Sequence, residues 1–131
     1  MGGFIKVDAE RTETMALNTK VNKYVFDDFK VYCKELGYPM NVVIETFMRQ
    51  FANGKFRIDS DDINKFNKKN NDDKKATINT TFNKEIYLDF KSYCKANGYF
   101  VNSAITAFME KFVSREYVME FIKINQDKQR R

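Results

Sequence analysis

Two short stretches of the chain alternate between apolar and polar residues, and each is followed by two longer stretches with helical spacing. Residues 17–21 and 78–82 place every second side chain on one face, which is typical of a β-strand with one face in water. Asn22 and Asn83 follow as candidate N-caps. Apolar residues then recur every three or four positions, first in a helix A (Val25, Phe29, Tyr32, Cys33 and Leu36; Ile86, Phe90, Tyr93 and Cys94) and then in a helix B (Ile44, Phe47, Met48 and Phe51; Ile105, Phe108, Met109 and Phe112). The pattern predicts the order strand, helix A, helix B, twice.

The two series are copies of one unit. A shift of 61 positions aligns Met15 to Phe51 with Ala76 to Phe112 without a gap, and 17 of the 37 pairs are identical. Gly37 and Gly98 match, each where helix A needs a left-handed residue to end. The predicted organisation is an N-terminal extension (1–14), copy one (15–51), a solvated polar linker (52–75), copy two (76–112) and a C-terminal helical extension (113–131).

A copy of 37 residues is too short to build a core of its own, so each copy needs a partner. We expect residues 17–21 to pair antiparallel with 78–82, because the edge of a lone strand leaves backbone groups unpaired. The linker of 24 residues spans about 25–29 Å if flexible, which favours pairing within one chain. The predicted fold is mostly α with a two-stranded antiparallel β-ribbon. Its outward face carries small polar side chains and suits a major groove about 12 Å wide: Ala16, Asn18, Lys20, Thr77, Asn79 and Thr81.

Composition argues against catalysis and metal binding. The chain has no His, and its two cysteines lie 61 residues apart with no CxxC spacing. We therefore expect no enzyme activity, no metal and no cofactor, and we expect Cys33 and Cys94 to pack in the core. The net charge of +5 allows a polyanionic partner. No stretch of 18 apolar residues occurs, and charged residues appear from Lys6 onward, which is too soon for a signal peptide. These features favour a cytoplasmic location without a membrane segment.

The order strand, Asn cap, helix, Gly turn, helix resembles the ribbon-helix-helix superfamily of Arc, MetJ and CopG repressors. Residues 98–105 resemble the Arc turn into helix B, and copy one is also similar to the N-terminal domains of RelB/DinJ antitoxins. The resemblance implies that two tandem copies form an intramolecular pseudo-dimer that binds double-stranded DNA. It implies base contacts from Asn18, Lys20, Asn79 and Thr81, with Ala16 and Thr77 at the rim, and phosphate contacts from Met40, Asn41, Val101 and Asn102.

Two departures from the family pattern bear on the DNA site. Pro39 and Phe100 stand where the family often has Ser or Thr before helix B, which predicts a weaker phosphate contact. The two strands differ at Lys20/Thr81 and at Ala16/Thr77, so the predicted site is an imperfect palindrome.

Two functions are consistent with these features. The first is a transcriptional repressor or a relaxosome-type protein that marks a DNA site on a plasmid or phage. The alternative is an antitoxin-like protein that binds a toxin and autoregulates its operon. The stripe Tyr117, Val118, Phe121 and Ile122 in the C-terminal extension either packs on its own domain or joins a second molecule or a protein partner, and the sequence leaves this choice open.

Overall fold

The structure, a computed structural model, describes residues 13–67 and 74–116. It is mostly helical with one two-stranded antiparallel sheet, as the sequence pattern predicts. The elements within these residues are β1 (Thr14–Asn22), α1 (Lys23–Leu36), α2 (Met40–Ala52), α3 (Ser60–Asn64), a 3-10 turn (Lys65–Asn67), β2 (Lys75–Asn83), α4 (Lys84–Ala96) and α5 (Val101–Val113).

β1 and β2 pair along nine residues each, so both strands are longer than the five-residue segments predicted. Asn18 lies opposite Asn79, its own equivalent 61 positions later, and the register runs symmetrically outward from this pair. The pairing continues past both strand ends. The amide of Lys23 donates to the carbonyl of Lys74 (3.0 Å), and Lys84 donates in the same way to Glu13 (3.2 Å).

Both helices that follow the strands begin with the same cap. The Asn22 side chain accepts a hydrogen bond from the amide of Val25 (3.1 Å), and the Asn83 side chain accepts one from Ile86 (3.0 Å). Each bond satisfies a backbone donor that has no partner within the helix. The two predicted N-caps are confirmed.

The turn between helices A and B also repeats. Gly37 and Gly98 lie in the left-handed region, with φ of 80° and 77°. After each glycine the next amide reaches back to the helix: Tyr38 donates to the carbonyl of Cys33 (3.1 Å) and Tyr99 donates to that of Cys94 (2.8 Å). This Schellman pattern stops helix A and redirects the chain into helix B.

The core is shared between the copies. Phe47 stacks on Phe108, its equivalent, with ring centroids 4.3 Å apart and planes at 10°. Contacts on either side repeat this exchange: α1 of copy one and α5 of copy two pack together, as do α4 of copy two and α2 of copy one. Because these buried rings come from both copies, neither copy has a complete core by itself.

The cysteines are buried in this core. Cys33 and Cys94 are free thiols that are almost fully enclosed, and burial raises the pKa of each to about 12. They occupy the inner face of helix A, as expected.

The segment predicted to be a solvated linker, residues 52–75, contains three buried apolar side chains in its described part, residues 52–67 and 74–75. Residues 55–67, hereafter the arm, cross to copy two and bury Phe56, Ile58 and Ile63. The Phe56 ring lies 5.7 Å from Phe47 and 5.9 Å from Phe108. These three apolar residues stand among polar and charged ones at spacings of two and five positions, which together fit neither a helix nor a strand.

Ion pairs also hold the arm against α5. Lys65 lies 2.8 Å from Glu110, and Lys111 lies 3.1 Å from Asp62. Hydrogen bonds from Lys111 to Glu116 and Asp62 raise the pKa of its ammonium group. The arm is therefore part of the fold rather than a simple tether.

At the C-terminal end, α5 stops at Val113 and does not run on into the next residues. The predicted stripe from Tyr117 to Ile122 lies outside the described residues, as do the first twelve residues and the polar run at 68–73. Among the described helices, none combines the length and the apolar character needed to cross a lipid bilayer.

Candidate nucleic-acid interface

The outward face of the β-ribbon, hereafter the outer face, is exposed along its whole length. Strand alternation puts Leu17, Val21, Ile78 and Phe82 into the core, so their neighbours must point into solvent. All six residues predicted to contact bases lie on this face and are exposed: Ala16, Asn18, Lys20, Thr77, Asn79 and Thr81. The face carries amide, hydroxyl and ammonium groups and no large apolar side chain.

The register decides which of these side chains are neighbours. Asn18 and Asn79 lie opposite each other at the centre, with Lys20 opposite Thr77 on one side and Ala16 opposite Thr81 on the other. Directly paired residues on an antiparallel ribbon have Cβ atoms roughly 4.5–5.5 Å apart. The two carboxamides therefore form a central polar pair, flanked by a cation on one side only.

The N-termini of α2 and α5 lie beside the ribbon. A cleft next to α5 is lined by Asn102 and Lys20, and a second cleft next to α2 is lined by Met40 and Asn41 together with residues 77–80. The structure thus brings the predicted phosphate contacts next to the predicted base contacts. Asn41 and Asn102 are exposed, while Met40 and Val101 are half-buried.

The N-cap residues of α2 and α5 leave the first helical turn without a side-chain cap. Pro39 and Phe100 are extended and make no capping hydrogen bond through their side chains. The first amides of a helix have no partner within it and carry the positive end of the helix dipole. The backbone N–H groups at the N-terminus of α2 and at the N-terminus of α5 can therefore each hold an anion. Half-buried Met40 and Val101 can take part through their backbones alone.

The two clefts differ in charge. The cleft beside α5, about 180 Å³ in volume, is lined by Lys20, Lys75 and Lys65. The cleft beside α2 is lined by one lysine, Lys30. At the equivalent ribbon positions of the opposite half, the first two lysines are replaced by neutral residues: Thr81 stands for Lys20 and Thr14 for Lys75. The α5 side is therefore the more cationic half of the ribbon.

An acidic residue increases this difference. Glu45 stands in α2 where α5 has Thr106, and its carboxylate accepts a hydrogen bond from the amide of Asn83 (2.6 Å). The carboxylate lies at the end of the ribbon where Thr14 and Thr81 stand at the positions equivalent to the lysines. The two halves of the ribbon thus have equivalent backbones but different charges.

Sequence reasoning assigned Lys75 to the linker rather than to this surface, and it did not single out Lys65. Lys75 belongs to the outer face by strand alternation from Thr77, and the signal was lost because the strand was predicted to start too late. Lys65 reaches the cleft only because the arm folds across α5, and its ammonium is paired with Glu110. Nothing in the residues around Lys65 predicts that the arm crosses α5.

Within residues 13–67 and 74–116, no group of three or more metal-ligating side chains is found. The chain matches no protein-family model, and comparison with curated proteins and with solved structures finds no similar protein.

Proposed function

We propose that the chain is a tandem ribbon-helix-helix protein, in which two copies form a pseudo-dimer within one molecule and the outer face enters the major groove of double-stranded DNA. The observation that carries the proposal is the register of the ribbon. Asn18 meets its own equivalent, Asn79, at the centre of an exposed polar face. A pseudo-two-fold ribbon of this kind matches the symmetry of duplex DNA, whose two strands are themselves related by two-fold axes.

The side chains of the outer face suit base edges. An Asn carboxamide can bond both N6 and N7 of adenine, and a Lys ammonium suits O6 and N7 of guanine. Two paired strands are about 4.8 Å apart, which leaves room for them in a groove about 12 Å wide. Asn18 and Asn79 are the proposed central readers, Lys20 and Thr81 flank them, and Ala16 and Thr77 lie at the rim.

Phosphates on either side of the groove are the proposed ligands of the helix N-termini. Backbone N–H groups at Met40 and Asn41, and at Val101 and Asn102, would hold one DNA strand each. These contacts fix the position of the protein but carry little sequence information. The inequality between Lys20 and Thr81 makes the preferred site an imperfect palindrome.

The proposed biological role is repression of transcription or marking of a DNA site, as on a plasmid or phage. Both roles require the same physical activity, which is tight binding to one short duplex sequence. The exposed polar ribbon supports this activity without distinguishing between the two roles.

The test is selection of bound duplexes from a random pool, followed by affinity measurements with Asn18→Ala and Asn79→Ala. Each lost amide contact is worth about 1–3 kcal/mol, so each variant should bind the selected site roughly 5- to 150-fold more weakly. Both variants should also lose preference at the central positions. Asn53→Ala is the matched control, because Asn53 is exposed but lies at the far end of α2. An unchanged sequence preference in both ribbon variants would remove the base-reading assignment.

A further inference from the structure

The equivalence between the copies extends beyond helix B into the chain that leaves it. After α2, the amide of Lys55 donates to the carbonyl of Gln50 (2.9 Å), and after α5 the amide of Glu116 donates to that of Lys111 (3.1 Å). These residues are again 61 positions apart. The chain therefore leaves both helices B by the same turn.

One residue of this turn is held in an unfavourable conformation. Gly54 has a φ of 77°, and at the equivalent position Arg115 has a φ of 65°, the only positive value among the described residues other than glycine. A residue with a Cβ is disfavoured in this region, because the Cβ crowds the backbone carbonyl oxygen. The turn after α5 is thus kept in the second copy even though its residue suits it poorly.

Beyond the turn, the two helices B differ in what covers them. The arm lies on α5, where the Ser103 hydroxyl donates to the side-chain oxygen of Asn67 (2.5 Å) and Ser103 is 2% exposed. Val42 is the equivalent residue on α2, and it is 40% exposed although it is apolar. Arg49, the equivalent of Glu110, is also exposed. The described residues leave this face of α2 without the cover that the arm provides on α5.

The amino-acid sequence after Glu116 matches the arm at its buried positions. Tyr117 stands 61 positions after Phe56, Met119 after Ile58 and Ile124 after Ile63, so each buried residue of the arm has an apolar or aromatic counterpart. The counterpart of the last arm residue is Lys128, and the chain runs on to residue 131, so it is long enough to supply the whole segment.

The charges are also compatible. On the covered side, Lys65 of the arm pairs with Glu110 of α5. On the uncovered side the helix residue is Arg49, and the segment has Gln126 at the position of Lys65 with Asp127 beside it. The helix residue thus changes from an acid to a base, while the segment has neutral Gln126 in place of the lysine and an acid one position later.

We propose that the face of α2 formed by exposed Val42 and Arg49 and by half-buried Glu45 binds residues 117–128 of the same chain as a second arm. The occupant is this segment rather than a second molecule or a foreign protein. The C-terminal extension then belongs to the domain and is not available to wrap a protein partner. This proposal does not depend on DNA binding, and either one can fail without the other.

The test measures access to Val42→Cys. The thiol of V42C is labelled with a water-soluble disulfide reagent in the full chain and in a chain that ends at Glu116. The second arm should slow labelling at least tenfold in the full chain relative to the shortened one. S103C is the matched control, because the first arm covers it in both chains and its labelling should be equally slow. The natural cysteines are buried and should react slowly in every sample.

Two further measurements separate the occupants. Ile124→Asp in the full chain should raise the V42C labelling rate to that of the shortened chain, whereas Gln129→Asp, one residue beyond the proposed segment, should leave it unchanged. The protection should be independent of protein concentration and belong to a monomer by sedimentation. Equal labelling of V42C in both chains would overturn the proposal, and so would protection that disappears on dilution, which indicates a second copy.

Discussion

For the proposed complex with DNA, the unequal charge on the two halves of the ribbon predicts that the two halves contribute unequally to the binding affinity. Lys75 is exposed, lines the cleft beside α5 and forms no ion pair with the described residues. Its equivalent, Thr14, is neutral. We expect Lys75 to contact a phosphate, so Lys75→Ala should weaken binding to all duplexes by a similar factor and leave the preferred sequence unchanged.

The salt dependence gives the magnitude. Each phosphate contact adds about 0.9 to the slope of log affinity against log salt concentration, because it releases a condensed counterion. Between about 50 and 200 mM salt, one contact therefore accounts for a roughly 3.5-fold loss of affinity. The Lys75→Ala variant should lose that much less affinity than the natural chain over this range, as measured by fluorescence anisotropy with a labelled duplex.

Two control variants separate the effect of the position of Lys75 from the effect of the net charge of the protein. Lys34→Ala removes the same charge from the last turn of α1, beyond the ribbon, and should change the slope little. Thr14→Ala alters the equivalent strand position without removing a charge and should leave the slope unchanged. If Lys34→Ala and Lys75→Ala lower the slope equally, the charge acts only through the net charge of the protein and the reasoning from the cleft is wrong.

Two further predictions concern stability. Ile63→Ala removes a fully buried side chain from the arm and should lower the free energy of unfolding by about 2–5 kcal/mol in urea titrations. The control Asp61→Ala changes an exposed residue of the arm and should alter the free energy of unfolding by less than about 0.5 kcal/mol. Similar small effects from both variants would show that the arm does not stabilise the fold. Burial raises the pKa of Cys33 and Cys94 from 9.0 to about 12, so the unfolded chain releases these protons first and stability should fall as the pH rises from about 9 towards 12. A C33A–C94A variant should show a shallower decline over this range, and an identical pH profile would contradict the assignment.

The local elements were accessible from the sequence because each depends on a few neighbouring residues. Asn22 and Asn83 cap their helices through the amide three residues later, and Gly37 and Gly98 end them through a left-handed conformation. The strand pairing was also predictable. A duplicated strand that cannot stand alone has an obvious partner in its own copy, and apolar alternation then decides which side chains point outward.

Prediction failed where a segment lacks periodicity. Phe56, Ile58 and Ile63 are separated by polar and charged residues, so the arm looks like a solvated linker. Its burial depends on a surface made by helices from both copies, including the rings of Phe47 and Phe108. No window of the sequence contains that surface.

By itself, the amino-acid sequence determined the duplication, the strand-helix-helix order and the small polar character of the outer face, because periodicity and capping are properties of short segments. Only the tertiary structure decided that the arm covers α5 and that Lys20, Lys65 and Lys75 line one cleft. These features arise from contacts between residues far apart in the chain. Two copies with 17 of 37 residues identical therefore present different surfaces, in part because the single connecting segment lies on only one of the two equivalent helix faces.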